Sequence, residues 1–110
     1  MLNQVFLVGR LTKDPEIKET ESGKKLTYVT LAVQRAFKNT DGIYDTDFIS
    51  CVLWNNNAEN ASLYSKTGDV IGVKGRIQTD KYEDEDKNIK YVTEIIAEKI
   101  SFISSYKPAQ

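Results

Sequence analysis

The residues of this chain best suited to binding chemistry are aromatic side chains that have lysines and arginines close by. Stacking on a nucleobase needs a flat π-face at the protein surface and contributes about 1–3 kcal/mol per base. The candidate stacking residues are Phe37, Phe48, Trp54 and Tyr82. The cations placed to neutralise phosphates are Arg35, Lys38, Lys74, Arg76 and Lys81, with Arg10, Lys13 and Lys66 as second-tier candidates. Aromatic residues interleaved with cations are what sequence-independent binding of a single strand requires.

Two of these aromatics lie in the segment Thr46–Trp54, which alternation predicts to be a β-strand with two distinct faces. The aliphatic face suits a protein core and consists of Ile49, Cys51 and Leu53. The opposite face carries both aromatics and consists of Phe48, Ser50, Val52 and Trp54. A strand that is apolar on both faces needs a second partner, either another layer of protein or a flat ligand such as a nucleobase. On this face Val52 either supports an aromatic platform or contacts a neighbouring subunit.

A structural role competes with base stacking for each aromatic residue, because large aromatic side chains on strands are mostly buried. Phe37 and Tyr82 each lie next to a polar hairpin, where we expect exposure. A structural role is expected for Phe6, Tyr28, Tyr64, Tyr91 and Phe102. The first and last strands are apolar on both faces, which indicates subunit packing, since a chain this small cannot bury so much apolar surface alone.

The composition argues against an enzyme. The 110 residues include no histidine and a single cysteine, Cys51, so the commonest general base is absent and a zinc site has almost no ligands. We find no catalytic pair for a small hydrolase, and no cofactor or metal is expected. The net charge of −1 would be +3 without the four acids of Glu83–Asp86, a run that we expect to be a solvated loop tip. The placement of charge, rather than its sum, decides whether nucleic acid binds.

The sequence also carries signals of location. It has no apolar run of the ~18 residues that a membrane-spanning helix needs. Its first residues lack the basic region and cleavage site of a signal peptide. A lone cysteine fits a reducing compartment. We therefore expect a cytoplasmic protein.

Periodicity predicts one domain of five long strands and one helix. The strands are expected at residues 2–11, 26–36, 46–54, 70–79 and 89–102, with a short strand between residues 16 and 25 and a hairpin turn at residues 39–42. The helix is expected at residues 55–66, with an asparagine at its N-cap and Gly68 as its C-cap. Ile71, Val73 and Ile77 are predicted to point inward. This order of elements predicts an all-β OB-fold, a five-stranded Greek-key barrel with one short helix.

Several motifs follow one another along this chain. They are Asn3–Glu16, Val29–Val33 followed by Phe37, Asp47–Trp54, Ala58–Glu59, Tyr64, Lys66–Gly68, Val73–Thr79 and Tyr91–Glu94. In order and spacing they resemble those of bacterial single-stranded DNA-binding proteins. The resemblance covers about residues 1–103 and is therefore highly specific.

The resemblance implies a non-enzymatic OB-fold DNA-binding domain over residues 1–106. It also implies a homotetramer, a dimer of dimers formed through the first strands, with single-stranded DNA wrapped around it. The family's base-stacking positions match Phe37, Phe48, Trp54 and Tyr82. The family often has tryptophan where this chain has Phe37 and Tyr82, and their smaller π-faces are expected to stack less strongly. The implied role is sequence-independent binding and protection of single-stranded DNA in replication, recombination, repair or natural transformation, in a nucleoid-associated protein.

Three departures from the family pattern affect these expectations. The chain ends at residues 107–110 without the acidic, hydrophobic tip that recruits replication and repair enzymes, so such recruitment is not expected. A shortened sequence, a short paralogue and a phage or plasmid protein would each explain that ending. Asn55–Asn57 replaces a lysine common in the family, and Glu83–Asp86 is more acidic than usual. The alternative function is an OB-fold protein-interaction module of the replisome without DNA affinity.

Overall fold

Six β-strands and one α-helix make up most of residues 1–106, the part of the chain that the computed structural model describes. Their bounds are β1 Val5–Leu11, β2 Lys18–Glu19, β3 Lys25–Lys38, β4 Tyr44–Trp54, α1 Asn56–Tyr64, β5 Val70–Glu83 and β6 Ile89–Ser104. Each predicted element is present, and β3 to β6 are longer than predicted. Residues 107–110, for which the sequence predicts an end without an acidic tail, lie outside the described residues.

The five long strands close into a barrel, which confirms the predicted OB-fold. The sheet runs in the order β1, β5, β6, β4, β3, and pairing of Arg10 with Ala32 and of Leu11 with Leu31 closes it. The pairing of β4 with β6 is parallel, and the others are antiparallel. The short strand β2 extends the sheet beside β3. One helix between β4 and β5 completes the predicted arrangement.

The core lies inside the barrel and includes the predicted inward residues Cys51, Leu53, Ile71 and Val73. Its buried members are Leu11, Val29, Leu31, Cys51, Leu53, Ala58, Ala61, Ile71, Val73, Ile95 and Ala97. Ile49 is partly buried and packs against this cluster. Burial raises the pKa of the Cys51 thiol to about 11, because desolvation disfavours the thiolate. Cys51 is therefore a small core residue, as predicted.

Ile77 is the one inward prediction on β5 that is wrong, since its side chain is 44% exposed. β1 pairs with β5 only as far as Gly75, so Ile77 lies at the mouth of the barrel with no strand on that side. The side chain of Asn3 takes the place of a strand there. Its Nδ2 donates to the Ile77 carbonyl and its Oδ1 accepts from the Ile77 amide, both at 2.9 Å.

Two hairpins extend beyond the closed part of the barrel, because their strands outrun their other neighbours. The first arm, residues 33–47, pairs β3 only with β4. The second arm, residues 78–94, pairs β5 only with β6. The radius of gyration is 15.7 Å, whereas a compact domain of this length has about 13 Å. The arms account for this difference and carry candidate residues away from the barrel.

Side-chain bonds in their turns hold the tips of both arms. In the first arm, Asn39 Oδ1 accepts from the amides of Asp41 and Ile43, and Gly42 has a φ of 76°. In the second arm, Asp84 Oδ1 accepts from the amides of Asp86 and Asn88. These bonds confirm the predicted turn at residues 39–42. They also give Asp84 a structural role within its acidic run.

The helix differs from its prediction at both ends. Asn55 is the N-cap residue, but its side chain makes no capping hydrogen bond and its φ is 52°. An asparagine thus occupies the N-cap position as predicted, but its side chain does not cap the helix. Gly68 lies three residues beyond the C-cap Ser65, where its φ of 90° turns the chain towards β5 and its amide donates to the Leu11 carbonyl. Within residues 1–106 no helix has the length and apolar character to cross a membrane.

Candidate nucleic-acid interface

The outer face of β3 and β4 presents the predicted aromatic platform. Side chains of paired residues in a sheet lie on the same face, and Phe48 pairs with Ala32 while Trp54 pairs with Leu26. Phe48 is 68% exposed, and Trp54 is half-buried. The opposite face of β4 enters the core. The predicted division of this strand into a core face and an aromatic face is confirmed.

Val52 lies on the aromatic face and yet is only 2% exposed. Its neighbours across the sheet are Tyr28 on β3 and Ile96 on β6. Since the described chain alone buries it, Val52 forms part of the floor beneath the platform. Of the two predicted roles for Val52, the structure favours support of the platform.

The other two stacking candidates lie on the arms. Phe37 is 84% exposed in the first arm, at an irregularity in the pairing of β3 with β4. Tyr82 is 55% exposed near the tip of the second arm. The predicted exposure of both residues is confirmed. The structure thus brings Phe48 and Trp54 together on one strand and places Phe37 and Tyr82 on separate extensions of the sheet.

Two cations lie on the outward face of β5. Lys74 is exposed and pairs with Phe6 and Lys99 on the neighbouring strands. Arg76 is exposed, and its Nη1 donates to Gln78 Oε1 at 2.9 Å. Arg76 pairs with Ile96, which itself pairs with Val52 of the platform. Arg76 therefore lies in the same row of paired residues as Val52, which is between Phe48 and Trp54 on β4.

Lys38 and Lys81 are exposed cations on the two arms. The Lys38 ammonium lies 5.7 Å from the centre of the Tyr44 ring, a cation–π distance. Lys81 pairs with Tyr91 across the second arm. Because successive strand residues alternate, Lys81 points to the opposite face from Tyr82.

Arg35 differs from the other cations because two carboxylates already hold it. Its guanidinium donates to both oxygens of Asp47 at 2.9–3.2 Å and lies 3.8 Å from Asp45. The hydrogen bonds from Arg35 lower the pKa of Asp47, so this carboxylate is charged at neutral pH. A phosphate would have to displace Asp47 to reach the guanidinium.

The second-tier cations surround the end of β1. Arg10 pairs with Ala32 and so lies in the same row as Phe48, while its Nη1 donates to the Gly68 carbonyl at 2.8 Å. Lys13 and Lys66 are exposed in the two adjoining loops. Asp14 ties these loops together by accepting from the amide and the hydroxyl of Thr67, both at 2.7 Å. These bonds lower the pKa of Asp14.

Comparisons with known proteins identify the family of this chain. A family model described as "Single-strand binding protein family" matches residues 2–103. The chain belongs to the single-strand binding protein family. The description names a binding protein, in line with the expectation that the chain is not an enzyme.

Three similar proteins come from Bacillus and Listeria species. Single-stranded DNA-binding protein B of Bacillus subtilis (strain 168) is 50% identical over 94% of this chain and 91% of its own length. Single-stranded DNA-binding protein 3 of Listeria innocua is 50% identical over 96% of this chain and 66% of its own length. The single-stranded DNA-binding protein of Bacillus cereus is 50% identical over 94% and 61%, respectively. The chain thus spans less than two thirds of the Bacillus cereus relative.

One aromatic residue on the platform face, Tyr44, is not among the candidates predicted from the sequence. Tyr44 lies on β4 with the same parity as Phe48, is partly exposed, and contacts the Lys38 ammonium through its ring. The sequence contains the signal for Tyr44, because the alternation of β4 continues two residues before Thr46. The Asn39–Gly42 turn signal leads to an expected strand start that is too late in the chain, and Tyr44 is therefore assigned to the hairpin.

The five aromatics with a predicted structural role are all exposed in the described chain. They are Phe6, Tyr28, Tyr64, Tyr91 and Phe102. The ring of Tyr64 packs edge-to-face on that of Phe102, with centroids 6.0 Å apart. None of the five belongs to the barrel core. Apart from the packing of Tyr64 on Phe102, a structural role for them would have to come from contacts outside residues 1–106.

Of the four acidic residues near Tyr82, one helps to hold a turn and the other three do not. Asp84 holds its turn, but Glu83, Glu85 and Asp86 form no side-chain hydrogen bond or ion pair within residues 1–106. Their carboxylates therefore face solvent, as predicted for a loop tip. Residues 1–106 also contain no cluster of acidic, cysteine or histidine side chains that could hold a metal ion.

Proposed function

We propose that this chain binds single-stranded DNA without sequence preference. The observation that carries the proposal is the 68% exposure of Phe48 on a strand whose opposite face is core. A rigid strand presents this ring to solvent at no cost in folding, and every nucleobase has a π-face that can stack on it. Stacking does not involve the hydrogen-bonding edge of a base, so binding tolerates any sequence.

The proposed interface combines stacking with phosphate neutralisation. Bases stack on Phe37, Phe48, Trp54 and Tyr82. Phosphates contact Lys38, Lys74, Arg76 and Lys81, with Arg10, Lys13 and Lys66 at the end of β1. Arg35 joins this set only by exchanging Asp47 for a phosphate, and it contributes least. Because Phe37 and Tyr82 lie on the arms, the path of the DNA extends beyond the barrel in two directions.

The names of the relatives support DNA as the ligand. The Bacillus and Listeria proteins are each called single-stranded DNA-binding proteins and are 50% identical to this chain. The alternative function, a protein-interaction module without DNA affinity, receives no support from these relatives. The exposed platform would serve either function, so the test must measure DNA binding directly.

Trp54 provides an internal probe, because it is the only tryptophan in the chain. Addition of poly(dT) is expected to quench its fluorescence as bases stack against the ring. Binding is expected to weaken as salt rises, with a slope of about −0.7 in log K against log salt for each neutralised phosphate. A gel shift with single-stranded DNA checks the same equilibrium. No quenching together with no salt-sensitive shift would refute the proposed function.

We infer that the chain assembles as a homotetramer through its first strands. β5 pairs with one edge of β1 over residues 5–10, whereas pairing with β3 is limited to Arg10 and Leu11. The other edge of residues 5–9 therefore has no strand partner within residues 1–106, and a second copy of β1 fits it. Exposed apolar side chains of Phe6, Val8 and Ile103 lie nearby. Light scattering tests this inference: four chains of 12.5 kDa are expected, and a monomer would refute it.

The cellular role follows from binding without sequence preference. A protein that covers any exposed single strand serves replication, recombination or repair, and natural transformation is a further setting. We propose that residues 1–106 form the DNA-binding domain and that the protein is cytoplasmic and associated with the nucleoid. The proposal needs no cofactor.

A further inference from the structure

Tyr28 occupies the gap between the two aromatics of β4. Phe48 and Trp54 are six residues apart, which is about 20 Å along a strand. Stacked nucleotides rise only ~3.4 Å each, so several nucleotides would pass between these rings. Tyr28 pairs with Val52, two residues before Trp54, and lies on the same face. Its side chain is 47% exposed, so a third ring is presented within the gap.

The surroundings of Tyr28 leave space for a base. In the next row of the sheet towards Phe48, Thr30 pairs with Ser50, and both side chains are small. Val52 beside the ring is only 2% exposed and forms an apolar floor. The Tyr28 ring thus projects above its neighbours, since the small side chains of Thr30 and Ser50 lie on one side and the buried Val52 lies beside it. A planar ligand can lie against such a ring while its other edge faces solvent.

A cation accompanies this ring. The Lys18 ammonium lies 5.8 Å from the centre of the Tyr28 ring. The two-residue strand β2 places it there, because Lys18 pairs with Leu26, which shares the face of Tyr28. Arg76 lies at the other end of the row that contains Tyr28, Val52 and Ile96. A base on Tyr28 would therefore have a positive charge on either side for its phosphates.

We propose that Tyr28 stacks a DNA base between the bases held by Phe48 and Trp54, and that Lys18 neutralises an adjacent phosphate. This inference rests on the proposed function. It replaces the structural role that the sequence predicts for Tyr28. The neighbouring ammonium and the lower exposure of the ring make this site weaker than that of Phe48.

The test compares two substitutions in the full chain by anisotropy of a fluorescein-labelled dT oligonucleotide. Tyr28→Leu keeps an apolar side chain beside Val52 but removes the π-face, and a five- to tenfold loss of affinity is expected. Tyr28→Phe keeps the ring and is expected to stay within about twofold of the wild type. Tyr64→Leu, on α1 and away from this face, is the matched control and is expected to bind as the wild type. Wild-type affinity of Tyr28→Leu would refute the inference.

Two further readouts separate stacking from an effect on the fold. Photo-crosslinking to a 5-iodouracil-substituted dT oligonucleotide is expected to label Tyr28, and label on Phe48 and Trp54 without label on Tyr28 would refute the inference. Lys18→Gln is expected to lower the salt slope by about 0.7, and an unchanged slope would refute the role of Lys18. If the wild-type chain itself gives no change in anisotropy with the labelled oligonucleotide, the proposed function fails. If the wild type binds and Tyr28→Leu binds equally well, the failure is confined to this inference.

Discussion

Replacement of Phe48 by alanine is expected to weaken binding to poly(dT) by about thirtyfold. Removal of one stacked base costs about 1–3 kcal/mol, and ~2 kcal/mol corresponds to that factor. Phe48 is assigned the middle of this range because its ring is 68% exposed, and within residues 1–106 no other ring packs edge-to-face on it and no cation lies over it. Tryptophan quenching by poly(dT) measures the change directly, since Trp54 is retained.

The control for this variant is its stability. Phe48 lies on the solvent side of β4 and is not part of the core, so the alanine variant is expected to melt close to the wild type. Its loss of affinity is also expected to exceed that of Tyr28→Ala, whose ring is less exposed. Equal losses in the two variants would contradict this ranking of the two rings. A large fall in melting temperature would show that Phe48 acts through the fold.

Alternation predicts most of the fold because it depends on local geometry alone. Cys51 and Leu53 are buried and Phe48 is exposed, as a period of two along β4 requires. The same period places Val29 and Leu31 in the core from β3. Hairpin exposure of Phe37 and Tyr82 also follows from the sequence, since each lies beside turn-forming or charged residues.

The differences from expectation at Ile77, Arg35 and Tyr28 depend on contacts between parts of the chain that are apart in sequence. Ile77 has the right parity for the core but is exposed because β1 ends before reaching it. Arg35 is a cation beside an exposed aromatic, but Asp47 across the hairpin holds it in an ion pair. Tyr28 looks structural from sequence, and only the register with Val52 reveals that it lies between two platform aromatics. Strand length and register set these outcomes, and neither is encoded in a local pattern.

Simultaneous replacement of Lys74 and Arg76 by alanine is expected to weaken binding through electrostatics alone. Each neutralised phosphate contributes about 0.7 to the slope of log K against log salt, so the slope is expected to fall by about 1.4. Extrapolated to about 0.1 M salt, that slope corresponds to a loss of about 25-fold, and the difference from the wild type is expected to vanish near 1 M. Both side chains are exposed, and the only hydrogen bond that either forms within residues 1–106 is that of Arg76 with Gln78.

The salt titration separates this pair from the aromatic platform. Phe48→Ala removes stacking but no charge, so its loss of affinity is expected to be the same at every salt concentration. The Lys74 and Arg76 variant is expected to show the opposite pattern, with a lower slope and little change at high salt. Lys25→Ala removes a cation whose ammonium pairs with Glu59 of α1 at 2.7 Å, and it is expected to leave the slope unchanged. An unchanged slope in the double variant would mean that these cations do not contact phosphates, and the path of the DNA along β5 would have to be abandoned.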